Sequence, residues 1–134
     1  MKIAEGIIEI EGVVKRIERS LIPGVVIITI VCDDITVKMD LMRKLLVFDE
    51  GDKVSITISR ERPNYEEGKD FVAWGYVVSK KKTREVSNGN VRITSKLLIS
   101  LWGYLVILES VKRDDFLNSF SYMDKVYMKI RRLS

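Results

Sequence analysis

Apolar and polar side chains alternate with a period of two along much of this chain, most cleanly in ITVKMDL. There Ile35, Val37, Met39 and Leu41 face one way and Thr36, Lys38 and Asp40 the other. Successive side chains of a strand point to opposite faces, so this segment reads as a strand with one face buried. KVSITIS repeats the pattern with Val54, Ile56 and Ile58 inward, and KVYMKI does so with Val126, Met128 and Ile130. VVIITIV (25–31) is apolar on both faces, which predicts a strand central in its sheet or covered on both sides.

Between these runs lie segments of turn chemistry: Pro23-Gly24, Asp33-Asp34, Gly51-Asp52, the longer 63–68 stretch, Asn88-Gly89 and 112–115. They divide the chain into about eight strands with no repeating strand–helix alternation. Only LMRKLLVF (41–48) offers a helical turn or two, with Leu41, Leu45 and Phe48 on one face. The pattern predicts an all-β fold, an eight-stranded antiparallel OB-like barrel with one short helical connector, formed by residues 1–134 as a single domain.

The tripeptide Trp-Gly-Tyr occurs twice, at 74–76 and 102–104, and contains both tryptophans. Asn88-Gly89 is the strongest hairpin turn present, because a type I′ turn needs positive φ at both central residues. Folding the chain about it pairs residues whose numbers sum to 177, which sets Trp74 against Gly103 and Gly75 against Trp102. Each indole would then cover a glycine of the neighbouring strand. A bulge near Lys80 to Arg84 would shift that register by one.

Composition agrees with strands: 16 Ile and 16 Val stand against 2 Ala, and β-branched residues suit a pleated surface. Histidine is absent and Cys32 is the one cysteine, which closes the chain to imidazole-based triads, to a His/Cys structural zinc site and to an internal disulfide. Cys32 ends an apolar strand and reads as a buried small hydrophobe. Few amides and many charges lean towards a thermophilic source. The acid pairs Asp33-Asp34 and Asp114-Asp115 and the 49–52 cluster fall at turns and lack calcium-loop spacing. No cofactor, metal or catalytic residue is expected. No signal segment or membrane span is expected either, and the chain reads as cytoplasmic. The net charge of +4 is distributed in small basic groups, among them Lys80, Lys81, Lys82 and Arg84.

Six pieces carry a family resemblance: C-x5-KMDL from Cys32, GDKV at 51–54, Arg62-Pro63, F-x2-WGYV from Phe71, ISLWGYLV at 99–106 and KVYMKIRRL at 125–133. Their order over the whole chain resembles the eighth subunit of eukaryotic and archaeal RNA polymerases. The resemblance implies an eight-stranded OB-like barrel, and a non-catalytic subunit docked on the largest polymerase subunit that supports assembly and stability. The long acidic insertion that eukaryotic members carry before Arg-Pro is missing, so the chain is similar to the shorter archaeal form. Where eukaryotic members have Gly-Gly-Leu-Leu, this chain has Gly103-Tyr104-Leu105-Val106. The residues expected to touch the partner are Asp40, Trp102, Gly103, Tyr104 and Leu105.

The alternative is a free-standing OB-fold protein that binds single-stranded nucleic acid through Trp74, Tyr76, Trp102 and Tyr104. All four aromatics sit within the most apolar strands while the basic groups lie elsewhere in sequence, which favours core packing or protein docking. Contact with nucleic acid is therefore expected to be indirect or weak, with no small-molecule substrate.

Overall fold

The computed structural model describes residues 1–134, and the alternating segments form its strands: β1 (Lys2–Ala4), β2 (Ile7–Arg19), β3 (Val25–Cys32), β4 (Ile35–Met42), β5 (Lys53–Ser59), β6 (Asp70–Ser87), β7 (Asn90–Leu101), β8 (Tyr104–Ser110) and β9 (Lys125–Arg132). All neighbours are antiparallel, in the order β2-β3-β4-β8-β7-β6-β9-β5, and β5 returns to pair with β2. The expected barrel is thus closed by eight strands, and β1 adds a short ninth against the start of β2. Closure satisfies the hydrogen bonds that an open sheet would leave at its edges. Two long strands make it possible by changing partners halfway. β2 pairs with β5 over Ile7–Val13 and with β3 over Val13–Arg19; β6 pairs with β9 over Asp70–Tyr76 and with β7 over Tyr76–Ser87.

The inward residues read from the alternation are all buried: Ile35, Val37, Met39 and Leu41; Val54, Ile56 and Ile58; Val126, Met128 and Ile130. β3 is central, between β2 and β4, but its outer row is only partly covered, with Ile27 half-buried and Val31 37% exposed. One end of the barrel is plugged by the stretch after β8, where a 3-10 turn (Asp115–Asn118) delivers Phe116 and Leu117 into the core and Phe120 follows just beyond it. The helical connector is shorter than expected, a single 3-10 turn at Arg43–Leu45. β4 keeps Leu41 as a strand residue and Leu45 is left 48% exposed. No helix is long and apolar enough to cross a membrane.

The long hairpin corrects the expected register. Asn88 and Gly89 have φ of 50° and 78° and close the turn, and from Ser87↔Asn90 to Ser79↔Leu98 the paired numbers sum to 177 as predicted. Val78 is then bulged out, and the pairs beyond it are Val77↔Ile99 and Tyr76↔Ser100. Burial dictates the shift. Val77, Ile99 and Leu101 all face the core, whereas an unbroken register would put Val77 opposite the outward Ser100. Gly75 therefore lies against the 100–101 backbone, and Trp102 and Gly103 are the turn between β7 and β8 rather than strand residues facing Trp74 and Gly75.

Gly75 is required by proximity. A Cβ placed on it would overlap the Ser100 carbonyl oxygen. Backbone cannot yield as a flexible side chain does, so Gly75→Ala is expected to cost about 3 kcal/mol or more, the upper end of overpacking penalties. At this size that is a fall of roughly 10 °C in Tm, measurable by calorimetry against an Ala73→Gly control.

Candidate interaction surface

The β7–β8 turn is built from residues that a two-residue hairpin seldom uses. Trp102 and Gly103 have φ of 57° and 91°, the positive values that a type I′ turn demands. Glycine takes such a conformation freely, whereas the Cβ of tryptophan crowds the next carbonyl at a cost of about 1–2 kcal/mol. The Gly103 amide donates to Ser100 Oγ at 3.3 Å, which helps to hold the turn. Trp102 is 69% exposed at its tip.

Its ring rests on Trp74 of β6, with centroids 4.4 Å apart at 68°, and Trp74 in turn meets Tyr76 edge-on at 6.0 Å. The pleat explains the row, because Trp74 and Tyr76 are alternate outward residues of β6 and face Tyr127 and Lys125 of β9 in register. Lys125 Nζ lies 4.5 Å from the centroid of the Trp74 ring and 5.3 Å from that of Tyr127. Each ring face attracts the ammonium through its quadrupole. Of core packing and protein docking, the two settings expected for these aromatics, core packing is the one the structure overturns. Trp102 and Tyr76 are exposed, Trp74 and Tyr104 are half-buried, and strand pairing brings in a lysine that is distant in sequence.

Beside this row an open cleft is lined by Arg62, Tyr65, Asp70 and Tyr127 among others. Asp70 has a fully buried carboxylate that accepts from Arg131 Nε at 2.7 Å and Arg131 Nη2 at 2.8 Å, which ties β6 to β9. Those hydrogen bonds hold the Asp70 carboxyl below the usual carboxylate range against the opposing effect of its burial.

Around the tip the other expected contact residues converge. Tyr104 pairs with Leu101 across the turn and Leu105 with Ser100. β4 pairs with β8 through Lys38↔Ile107 and Met39↔Val106, so the next step of the same register sets Asp40 beside Leu105. Asp40 also faces Ile27 of β3, is half-buried and forms no ion pair or side-chain hydrogen bond within the chain. Nearby, Glu109 is shared by Lys38 at 3.7 Å and Lys96 at 3.9 Å. Ile27, Leu98, Leu105 and Ile107 form a half-covered apolar field on the outer wall. Asp40, Trp102, Gly103, Tyr104 and Leu105 thus cluster around the β7–β8 turn, with Asp40 and Leu105 on the outer wall and Tyr104 in the inward phase with Leu101. Sequence reasoning missed its extension through Tyr127 and Lys125, for which the signal was the outward phase of KVYMKI.

The other candidates are structural. Cys32 is fully buried, and burial, helped by Asp33, pushes its thiol up to about 12, far from a reactive thiolate. The turn acids have local partners: Asp114 binds Lys82 at 2.6 Å, Asp52 accepts from the Asp49 amide at 2.7 Å, and Arg113 Nε donates to Asp115 at 2.8 Å. No group of three or more His, Cys, Asp or Glu is arranged to hold a metal ion.

Comparison with known proteins gives one consistent result. Residues 7–133 match the model of the RpbG family of DNA-directed RNA polymerase. The chain is similar to DNA-directed RNA polymerase subunit Rpo8 of Saccharolobus solfataricus, with 31% identity over 121 residues covering 89% of this chain and 88% of the relative. It is 32% identical to the Rpo8 of Saccharolobus shibatae over the same shares, and 29% identical to that of Sulfolobus acidocaldarius over 89% of this chain and 93% of the relative.

The Asp70–Arg131 tie has a pH signature. A carboxylate whose folded pKa is depressed contributes stability that is fully present above its unfolded value near 4 and is lost as pH falls through the folded value. Asp70→Asn is therefore expected to lower stability at pH 7 and to flatten its decline below about pH 4. Urea titrations from pH 7 to pH 2 check this; equal acid slopes for the two proteins would contradict it.

Proposed function

Because this chain belongs to the RpbG family of DNA-directed RNA polymerase, we propose that it is a non-catalytic subunit of an archaeal cytoplasmic polymerase, docked on the largest subunit and supporting the assembly and stability of the transcribing enzyme. It acts as a single barrel domain and contributes no chemistry of its own. The observation that carries this reading is Trp102, a large aromatic held 69% exposed in a strained left-handed conformation at the tip of a turn. An isolated fold gains little from that placement. Exposed tryptophan and tyrosine are the residues that most often dominate binding energy when a partner desolvates them.

Asp40 supports the same reading. A half-buried carboxylate without an internal partner, bordered by Ile27 and Leu105, is suited to receive a donor from another chain. Tyr104, in the position where eukaryotic members of the resembled family have glycine, enlarges the turn on the side of Leu101.

A second reading, binding of single-stranded nucleic acid, is favoured by one feature: four cation–aromatic pairs, at Arg62 with Tyr65, Lys80 with Tyr122, and Lys125 with both Trp74 and Tyr127. Salt-sensitive, submicromolar binding of an oligonucleotide by the isolated chain would support it over docking.

Trp102→Asn separates docking from folding. Asparagine tolerates the left-handed turn, so strain relief offsets the lost contact with Trp74 and stability stays within about 1 kcal/mol of the parent. Incorporation into polymerase reconstituted in vitro, measured by competition with the parent chain, is expected to fall about 30-fold, as for loss of roughly 2 kcal/mol at a binding hot spot. Equal incorporation would remove Trp102 from the docking site.

A further inference from the structure

Beyond the barrel wall, β6 and β7 continue as a two-stranded arm. β6 leaves β9 at Tyr76 and β7 meets β8 only from Ser95, so residues 80–94 have no third strand beside them. Every residue from Lys81 to Ile93 is exposed. Its root is anchored by Lys80 Nζ, which donates to the Phe120 carbonyl at 3.0 Å, and by the Lys82–Asp114 pair.

The two faces of the arm differ. Paired residues share a face, so Arg84 with Ile93 and Val86 with Val91 line one side, while the other is polar. On the apolar side Val86 is 65% exposed, Val91 52% and Ile93 50%, and Val111 continues the row at the root with 47%. The arm also concentrates charge. Residues 80–94 hold five basic and one acidic side chain, a net +4 equal to that of the whole chain, so the remaining 18 basic and 18 acidic residues balance. Lys81, Arg84 and Arg92 have no ion pair.

Two-stranded hairpins are marginal in water, and an exposed apolar row on unpaired strands is an association hazard. A partner that covers the row and meets Arg84, the unpaired cation on the same face, resolves both features. Nucleic acid would meet the cations but leave the valines unexplained. A second copy of this chain has no acidic excess to offer, and its own arm would repel. We propose that the 80–94 arm docks on an apolar strip rimmed by Asp and Glu side chains on another protein chain of the polymerase. This surface is separate from the Trp102 region; the inference rests on membership in the polymerase and not on the choice of the largest subunit.

Carbodiimide couples a lysine amine to a carboxylate in direct contact, so it reads the acidic rim. In polymerase reconstituted with the full chain, an Arg84→Lys side chain, on the face of Val86 and Val91, is expected to form cross-links to Asp or Glu of another polymerase chain, identified by mass spectrometry. Val86→Asp lies outside the core and should reduce their yield at least tenfold while circular dichroism stays unchanged. Links only within the subunit, no links at all, or links unaffected by Val86→Asp would overturn the proposal, as would oligonucleotide binding by the isolated chain that Arg84→Glu abolishes. Normal incorporation of Trp102→Asn with persistent arm cross-links would sink the docking face proposed above and leave the arm standing. Failure of the chain to enter polymerase would sink both.

Discussion

A conflict of parity in the longest hairpin, and the single bulged residue that resolves it, governs how this barrel closes. The Asn88-Gly89 turn requires paired numbers with an odd sum, but the residues that must be buried on the two strands, Val77, Ile99 and Leu101, are all odd and demand an even one. Val78 absorbs the difference. A one-residue slip without the bulge would turn an entire strand face from core to solvent. The same adjustment brings Gly75 against the Ser100 carbonyl and lays Trp74 under Trp102. Beyond the bulge the phase is reversed, so Lys80 and Lys82 point to the plugged end, where the Phe120 carbonyl and Asp114 receive them.

What the closed barrel does not use is as informative as what it buries. Its interior is aliphatic apart from four phenylalanines, Phe48, Phe71, Phe116 and Phe120, and both tryptophans lie outside. Holding Trp102 in a left-handed turn opposes folding by about 1–2 kcal/mol, comparable to what its contact with Trp74 returns. Membership in the RpbG family of RNA polymerase gives these features a common setting. On the docking proposed above, the barrel serves as a frame, and its outer wall, its turn and its arm are the surfaces offered to partners.

Much of this was legible from alternation alone, because an inward residue every second position is a direct consequence of the pleat. The inner faces of β4, β5 and β9 followed residue by residue. Turn chemistry alone predicts an unbroken hairpin register; the parity of the buried positions, equally present in the sequence, requires the one-residue bulge, which falls at Val78, just before the 80–84 stretch where one was allowed for. The plug of Phe116, Leu117 and Phe120 escaped notice because it has neither period; a short 3-10 turn leaves no repeat to find. Trp102 and Gly103 did not read as a turn because tryptophan is foreign to that position. The cation–aromatic row depends on pairing between β6 and β9, some 50 residues apart, which no local pattern encodes. The five expected contact residues did converge, since four are consecutive and the β4–β8 register supplies Asp40.

Hydroxyl-radical footprinting of Trp102, free and in assembled polymerase, tests most directly whether its exposure exists for a partner. Tryptophan is highly reactive, so the free chain should be modified readily at this residue and far less at half-buried Trp74. On assembly, modification of Trp102 is expected to fall at least tenfold, with parallel protection at Tyr104 and Leu105. An unchanged rate at Trp102 in polymerase that demonstrably contains the chain would contradict the account.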